Sequence, residues 1–324
     1  MMNNNIFTRF NDQMSRIVDG ESKIAVAVSG GSDSLALSLL LNQWIKNKGG
    51  EIVCITIDHK LRVESSNEAI KVGNILRDLS IKHYIIEWFG KKTKSNLQEK
   101  ARIARYNLLT DYCHQHNIEY LATGHQRNDQ AENFIIRANH GSGVYGLAGI
   151  PTIGEFNKIK IIRPLLEFKK EELQALLKEE NIEGIEDPSN QNEHFMRVKV
   201  RKLLDEYPEW IDKLANISNN LSKAKECIEY MLKKSITELV TFHSQGMVLI
   251  ELLGFNQLPQ EIRFRMISTM LQNIGSKDKP ARAERIERLL NKVAAGNLFK
   301  ASTLGGCLIS RKKGQLVITR EELM

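Results

Sequence analysis

A short stretch rich in glycine and serine, Ser29-Gly30-Gly31-Ser32-Asp33-Ser34, limits the fold of this chain more than any other. It follows the apolar run 24–28, which predicts a buried strand, and precedes the run 35–44, which predicts a helix. Glycine lets a backbone approach an anion closely, and a helix start offers unpaired amides at a positive dipole end. We therefore predict that this turn binds phosphate through its amides and serine hydroxyls.

The same stretch is not a Walker phosphate loop, because it has no lysine before its serines. The missing lysine favours a pyrophosphate that leaves over a γ-phosphate that is transferred. The alternative is a tight glycine turn without a ligand. The combination of two glycines, three serines and an aspartate between a strand and a helix argues against that alternative.

Composition restricts the class of protein. The 324 residues suffice for one large or two ordinary domains. The net charge of +7 favours a polyanionic partner such as RNA, and a merely solvated basic surface is an equal alternative from charge alone. No apolar run is as long as a membrane span. No two cysteines are close in the sequence, which argues against a zinc knuckle or an iron–sulfur cluster and fits reduced thiols in the cytoplasm. The four cysteines are Cys54, Cys113, Cys227 and Cys307.

Further strands are predicted at 52–57, 83–88 and 120–123, each separated from the last by a helical pattern. This alternation predicts an α/β fold with a parallel, Rossmann-like sheet, which binds ligands beyond the carboxyl ends of its strands. Asp58-His59 follows the second strand and Gly124-His125 follows the fourth, so these residues are candidate ligands. Asp129 and Glu132 lie one turn apart on the next helix. The helix dipole explains Glu132, so Asp129 is the better functional candidate.

The residue pattern of the sequence changes after residue 208. We predict a catalytic domain at 1–208, a helical linker at 209–236 and a small basic α+β domain at 237–324. The last domain has no catalytic constellation, but it has a basic helix that would hold RNA phosphates. That helix carries Arg282, Arg285, Arg288 and Lys292.

The order of motifs along the chain resembles that of the tRNA(Ile)-lysidine synthetase family, a branch of the N-type ATP pyrophosphatases with a PP-loop. The match begins with the turn 29–34 and spans nearly the whole chain, in the compact form of the family. The other matching motifs are Asp58-His59-Lys60-Leu61-Arg62, Ala101-Arg102 with Arg105-Tyr106, Asn128-Asp129-Gln130-Ala131-Glu132, Gly141-Ser142-Gly143 with Gly146-Leu147, Arg163-Pro164-Leu165-Leu166, Asp187-Pro188-Ser189-Asn190 with Phe195 and Arg197, and Leu304-Gly305-Gly306-Cys307.

The resemblance implies a reaction and its reactants. ATP adenylates C2 of the wobble cytidine in the CAU anticodon of tRNA(Ile), and pyrophosphate leaves. Free L-lysine then displaces AMP and gives lysidine. The cofactors implied are ATP and Mg²⁺, the partners are tRNA(Ile) and lysine in a possible homodimer, and the compartment is the cytoplasm.

The resemblance also implies roles for individual residues. Asp33 and Asp129 would bind Mg²⁺ or orient and deprotonate the lysine amine, and which of them does which stays open. Arg105 joins them as a catalytic candidate. The predicted ATP ligands are Ser29, Gly30, Gly31, Ser32, Asp33, Ser34, Asp58, His59, Gly124 and His125. The predicted ligands of tRNA or lysine are Arg102, Arg137, Arg163, Asn190, Arg197 and Arg201.

Three positions depart from the family pattern. Gln126 replaces a common His, Asn128 a common Asp, and His140 an Arg before Gly-Ser. If that arginine contacts RNA or phosphate, a mostly neutral histidine weakens the contact. Arg137, one turn earlier, would compensate.

Other classes of protein could carry the same phosphate turn. A tRNA thiolase of the same superfamily would need paired cysteines, which this sequence lacks. A small-molecule amidotransfer-type synthetase would not need the basic C-terminal domain. A catalytically decayed RNA-binding protein would not need an intact turn.

Overall fold

The computed structural model describes residues 2–18, 23–46, 48–60, 65–90, 97–185, 196–243, 246–275, 281–296 and 301–321. The chain divides into two compact units, Met1–Ser222 and Lys223–Met324. The predicted linker, 209–236, lies within one long helix in which this division falls. The predicted domain boundaries at 208 and 236 stay predictions.

The first unit alternates helices and strands. Its elements are α1 (Met2–Ile17), β1 (Lys23–Ala27), α2 (Ser32–Lys46), β2 (Glu51–Asp58), α3 (Ser65–Asp78), β3 (Lys82–Glu87), α4 (Leu97–Gln115), β4 (Tyr120–Thr123), α5 (Arg127–Asn139), α6 (Val144–Leu147), β5 (Ile153–Phe156), β6 (Ile159–Ile162), α7 (Lys170–Glu179), α8 (Met196–Glu206) and the start of α9 (Glu209–Leu239).

The six strands of this unit form one sheet in the order β3-β2-β1-β4-β6-β5. All neighbours are parallel except β5 and β6, so the predicted α/β, Rossmann-like fold is confirmed. Val26 of the central strand β1 pairs with Cys54 on one side and with Ala122 on the other. The chain thus leaves β1 toward β2 and later returns to place β4 on the opposite side. Ligands of open α/β sheets bind at such a switch point.

Helix α2 packs between the sheet and the helices α1 and α7. It is apolar on nearly every side for that reason, and Leu35, Leu37, Leu40 and Leu41 are all 0% exposed. Burial of α2 fixes the direction in which its first turn points. The phosphate turn at 29–34 is therefore attached to the best-buried helix of the unit.

Strand β5 was not predicted from the sequence. It is a four-residue edge strand with only partly buried or exposed side chains, so it has no apolar run to signal it. Its hairpin turn uses Asn157 and Lys158, both with positive φ, at 48° and 65°.

The second unit is a small α+β domain, as predicted. It contains the end of α9 and an antiparallel sheet of order β7-β8-β11-β10-β9, covered by helices through Phe255, Met266, Ile286 and other buried side chains. Its elements are β7 (Val240–His243), β8 (Met247–Glu251), α10 (Leu252–Gln257), α11 (Gln260–Ile274), α12 (Ala283–Ala294), β9 (Ser302–Leu304), β10 (Cys307–Lys312) and β11 (Gln315–Arg320).

The structure corrects one element of this unit. The sequence 247–253 predicts a strand, but β8 ends at Glu251, because the side chain of Glu251 accepts the amides of Leu253 and Gly254 and starts α10. Across the described ranges, no helix combines the length and the apolarity that crossing a membrane requires.

Buried and exposed phenylalanines of the first unit allow a test of its core. Phe10 is 1% exposed and packs 6.3 Å from the ring of Phe168, so Phe10→Ala should lower the free energy of unfolding by about 3–5 kcal/mol. Phe89 is 80% exposed, and Phe89→Ala should change the free energy of unfolding by no more than about 0.5 kcal/mol. All three tryptophans lie in this unit, so tryptophan fluorescence in urea follows its unfolding. Equal losses for the two variants would contradict the described core.

Candidate active site

The turn 29–34 leaves the end of β1 and enters α2, as the sequence predicts. Gly30 has a φ of +89°, which favours glycine, and a Cβ there would lie 2.8 Å from Val72 Cγ2. The hydroxyl of Ser34 donates to the carbonyl of Gly31 and accepts the amide of Ser29, at 2.9 and 3.2 Å. These contacts fix a tight loop. The amides of Ser34 and Leu35 donate to the carbonyl of Gly31, at 3.1 and 3.2 Å, and the amides of Ser32 and Asp33 precede this first helical turn. The loop therefore has the geometry of an anion nest.

Gly124, at the end of β4, lies against this turn. A Cβ on Gly124 would lie 3.0 Å from the amide nitrogen of Ser34 and 3.1 Å from the carbonyl carbon of Asp33. Glycine is thus the residue that lets the ends of β1 and β4 approach each other. The structure brings two of the predicted ligand segments together at the switch point of the sheet.

The carboxylate of Asp58, at the end of β2, is hydrogen-bonded to residues that follow it closely in the sequence. Its carboxylate accepts the amide of Lys60 and the hydroxyls of Ser65 and Ser66, at 2.9, 2.7 and 2.5 Å. Despite burial, these donors hold the pKa of Asp58 below its usual range. The contacts explain why this carboxylate is buried at the start of α3. Its role as an ATP ligand stays a prediction.

The predicted carboxylates and arginines of α5 and α8 meet directly. Arg197 donates from Nε to Glu132 Oε2 at 2.6 Å and from Nη2 to Asp129 Oδ1 at 3.0 Å. Arg201 donates from Nε to Glu132 Oε1 at 2.7 Å. We call Asp33, Asp129, Glu132, Arg197 and Arg201 the carboxylate cluster. Its centre is Glu132, whose side chain is only 4% exposed and accepts from both arginines.

This role of Glu132 was not predicted from the sequence. A glutamate in the second turn of a helix fits the dipole, and nothing local signals two arginines from a helix 65 residues later. The spacing of Arg197 and Arg201, four residues apart, was the available signal, because it places both side chains on one face of α8.

Asp33, in the first turn of α2, belongs to the same cluster through its charge. Burial, and then the like charge of Asp129, raises the pKa of Asp33 from 3.8 to about 6. Lys170, a hydrogen bond from Ser32 and Arg201 oppose this shift but are weaker. Asp33 and Asp129 are thus two carboxylates close enough to repel each other.

A second group of predicted residues forms an opposing cluster, which we call the arginine cluster: Arg102, Arg105, Arg163 and His125. Arg102 and Arg105 lie against the ring of Tyr106, with guanidinium carbons 5.3 and 5.7 Å from its centroid. Burial, followed by the positive charges of Arg163 and Arg102, lowers the pKa of His125 to about 3. Burial likewise lowers the pKa of Arg105 and of Arg163.

The arginine cluster has unmet polar groups. Within the described residues, the buried Arg163 Nε and His59 Nδ1 have no hydrogen-bond partner. Burial and then Arg105 lower the pKa of His59, so this ring is neutral beside the cluster. Two half-buried guanidinium groups, Arg105 and Arg163, that have no carboxylate partner among the described residues favour an anion.

One predicted residue, Arg137, is not brought to this place. Arg137 is exposed near the end of α5, eight residues and roughly 12 Å of helix from Asp129. Asn190 lies outside the described residues, as do Leu61, Arg62, Phe195 and the basic tract 91–94.

The departures Gln126 and Asn128 have structural accounts. Gln126 is the N-cap of α5: its side chain accepts the amide of Asn128 at 2.6 Å, and its own amide donates to Asp129 Oδ2 at 3.0 Å. The cap holds Asp129 in place. Asn128 contributes no charge, and its buried Oδ1 has no partner in the described part of the chain.

Comparison with known proteins agrees with this site. Residues 2–207 match the PP-loop domain family. Together with the phosphate turn at the end of β1, this match defines a PP-loop nucleotide-binding domain.

The relatives narrow the class further. The chain is 36% identical over 310 residues to the tRNA(Ile)-lysidine synthase of Orientia tsutsugamushi (strain Boryong), covering 92% of this chain and 70% of that protein. It is 34% identical over 322 residues to the tRNA(Ile)-lysidine synthase of Rickettsia akari (strain Hartford), covering 98% of this chain and 74% of that protein. The chain belongs to the tRNA(Ile)-lysidine synthase family.

A solved structure shares the fold. The U34-tRNA thiolase NcsA from Methanococcus maripaludis superposes with a TM-score of 0.58 at 18% identity, covering 68% of this chain and 80% of that chain. At this identity the likeness concerns the fold alone.

The raised pKa of Asp33 has a consequence for stability. Because the folded state favours the protonated carboxyl, ionised Asp33 destabilises the fold above pH 6, and this cost disappears as the pH falls toward 4. Asp33→Asn should therefore raise the free energy of unfolding at pH 7.5 by about 2–3 kcal/mol, and the gain should shrink through pH 6. Urea unfolding of both proteins at several pH values measures the gain. The exposed Asp205→Asn is the control, and a variant no more stable than wild type at pH 7.5 would contradict the assignment.

Proposed function

We propose that this protein ligates free L-lysine to C2 of the wobble cytidine of tRNA(Ile) with a CAU anticodon, using ATP and releasing AMP and pyrophosphate. The observation that carries the proposal is the junction of a pyrophosphate-type turn with two buried clusters of opposite sign, in a chain that aligns with lysidine synthases over 92–98% of its length. The product pairs with A instead of G, so the tRNA is charged with isoleucine.

The turn 29–34 and the arginine cluster suit the activation step. The cytidine oxygen attacks the α-phosphate of ATP, and the loop amides with Ser29, Ser32 and Ser34 hold the departing pyrophosphate. Negative charge develops on phosphate oxygens in this step. Arg105 and Arg163, half-buried and with no carboxylate partner in the described part of the chain, supply fixed positive charge where water is partly excluded.

The carboxylate cluster suits the lysine step. The ε-amine has an unperturbed pKa near 10.4, so only about one molecule in 2,500 is neutral at pH 7. A base with a pKa near neutrality removes such a proton most effectively. Asp33, with its pKa raised to about 6, meets this need better than Asp129, whose oxygens are held by Arg197 and the amide of Gln126. We therefore assign the base to Asp33 and the orientation of the amine to Asp129.

Mg²⁺ would fit the same two carboxylates in part, but only while ATP is bound, because a cation on Asp33 would lower its pKa and stop it from acting as the base. Asp33 and Asp129 repel each other, and a divalent cation would relieve this. Within the described residues no group of three protein ligands is assembled, so phosphate oxygens and water would supply the remaining positions. A cation there would neutralise phosphate charge.

The competing functions lack support in the residues described. A thiolase needs thiols near the site, whereas Cys54, Cys113 and Cys307 are buried as free thiols far apart in the sequence and Cys227 is on α9. Burial raises the pKa of the Cys54 and Cys113 thiols to about 12, so neither is a nucleophile. A small-molecule synthetase does not need a second unit with a basic helix.

One assay tests the proposal. The protein is incubated with ATP, labelled lysine and a tRNA(Ile) transcript bearing CAU, and lysidine, AMP and pyrophosphate are measured. Lysidine that requires all three substrates supports the proposal. ATP turnover without lysine incorporation would refute it. The cytoplasm and a homodimer remain parts of the proposal, the latter measured by sedimentation.

A substitution at Asp129 tests whether the lysine step can be lost while tRNA binding is kept. Asp129→Asn keeps an acceptor for the cap of α5 but removes the charge that orients the amine, so lysidine formation should fall by at least about 100-fold. The dissociation constant for tRNA should stay within about twofold, because phosphate contacts dominate that affinity. Filter binding measures the dissociation constant for tRNA, and a steady-state assay measures lysidine formation. Asp205→Asn is the control for both. Near-wild-type turnover would sink the assignment.

Helix α12 of the second unit offers a separate test of tRNA binding. Arg285, Arg288 and Lys292 are exposed on it, opposite the buried Ile286 and Leu290. Replacing the three by alanine should weaken tRNA binding and reduce the slope of log K against log salt by up to about 2–3. The exposed Lys46, Lys71 and Lys178 of the first unit, changed to alanine together, form the control. An unchanged slope in the α12 variant would argue against a phosphate-binding helix.

A further inference from the structure

The charges of the carboxylate cluster do not balance. Among the described residues it joins three carboxylates, Asp33, Asp129 and Glu132, to only two guanidinium groups. Lys170 also acts on Asp33, but it is exposed, so water and salt screen it. The cluster is therefore one positive charge short.

Glu132 takes up most of the positive charge that is present. Each of its oxygens accepts an Nε donor, one from Arg197 and one from Arg201, at 2.6 and 2.7 Å. Its side chain is 4% exposed, whereas each arginine side chain is 40% exposed. The carboxylate is thus the fixed partner, and the arginines are the partners with room to turn.

The remaining contacts show what the arginines would do without Glu132. Arg197 already donates one Nη2 bond to Asp129, and Arg201 feels the charges of Asp129 and Asp33. Among the described residues, Asp129 and Asp33 are the carboxylates whose charges already act on Arg201, so they are the anions that two guanidinium groups released from Glu132 would pair with. They would neutralise the pair and leave no negative charge for another cation.

We propose that Glu132 is a positioning residue that holds Arg197 and Arg201 away from full pairing with Asp33 and Asp129, and so reserves negative charge for the ε-ammonium of the incoming lysine. The inference rests on the proposed function. Glu132 does not touch the substrate in this arrangement. It acts through the two arginines, and packing of α5 on α8 through Ala131, Val200 and Leu204 keeps it beside them.

The first test is Glu132→Gln, which keeps the shape and removes the charge. The Michaelis constant for lysine should rise at least about tenfold, because one charge interaction across roughly 12 Å at an effective dielectric constant of about 20 is worth that factor, and a closer charge is worth more. The Michaelis constant for ATP should stay within about twofold, since the phosphate turn is untouched. Steady-state lysidine formation gives both constants, and calorimetry with lysine alone gives its dissociation constant.

A compensating variant separates charge from structure. Glu132→Gln with Arg201→Gln restores two carboxylates against one guanidinium, so the lysine constant should return to within about threefold of wild type. A merely structural role predicts the opposite, because the double variant alters both partners of the hydrogen bond between Arg201 and Glu132. A double variant that is worse than Glu132→Gln would overturn the proposal.

Glu172→Gln is the matched control, because Glu172 also pairs with an arginine, Arg9, but away from the cluster. It should lower the thermal midpoint without changing the lysine constant. If Glu132→Gln does not fold, Arg201→Gln alone leaves the cluster more negative and should tighten lysine binding. Weaker calorimetric binding in that variant would overturn the proposal.

Failure of this inference differs from failure of the proposed function. A wild-type protein that forms no lysidine refutes the function. An active wild type whose Glu132→Gln variant keeps the lysine constant, or shifts only its Mg²⁺ dependence, refutes the role of Glu132.

Discussion

The parallel pairing of β1 with a strand on each side is the constraint on which the site depends. Because β2 and β4 both run parallel to β1, the carboxyl ends of all three strands meet at one edge of the sheet. The chain segments that follow them must therefore share a small space. The close approach of Gly124 to the backbone of Asp33 and Ser34 is the result. Everything proposed about catalysis uses side chains carried by these segments or packed against them.

The sequence revealed the parts of this arrangement that have a local signature. The apolar run before Ser29, the glycines after it and the helical pattern beyond predict the strand, turn and helix without any knowledge of the fold. The polar ends of two further strands predict ligand segments for the same reason. The order of motifs then identified the family.

Contacts between distant segments could not be predicted in this way. Nothing near Glu132 indicates that it accepts from Arg197 and Arg201, because that contact depends on how α8 packs on α5. The raised pKa of Asp33 likewise follows from burial and from Asp129, neither of which is a property of the sequence around it. Edge strand β5 was missed because partial burial leaves no pattern.

The two clusters at the site carry charges of opposite sign. The arginine cluster offers fixed positive charge, and the carboxylate cluster offers a negative charge in excess of its arginines. Arg197 belongs to the second cluster, yet its charge also lowers the pKa of His125 in the first. A reaction that first creates an anion and then consumes a cation suits two such regions side by side.

The neutrality of His125 has a physiological consequence. A histidine among phosphate ligands would ordinarily make anion affinity follow cytoplasmic pH. Burial among arginines removes that sensitivity here, because His125 stays uncharged and the arginines stay charged across the range a cell experiences. The anion affinity of the arginine cluster would then resist acidification of the cell, whereas Asp33 in the phosphate turn, with its pKa raised to about 6, would still respond to it.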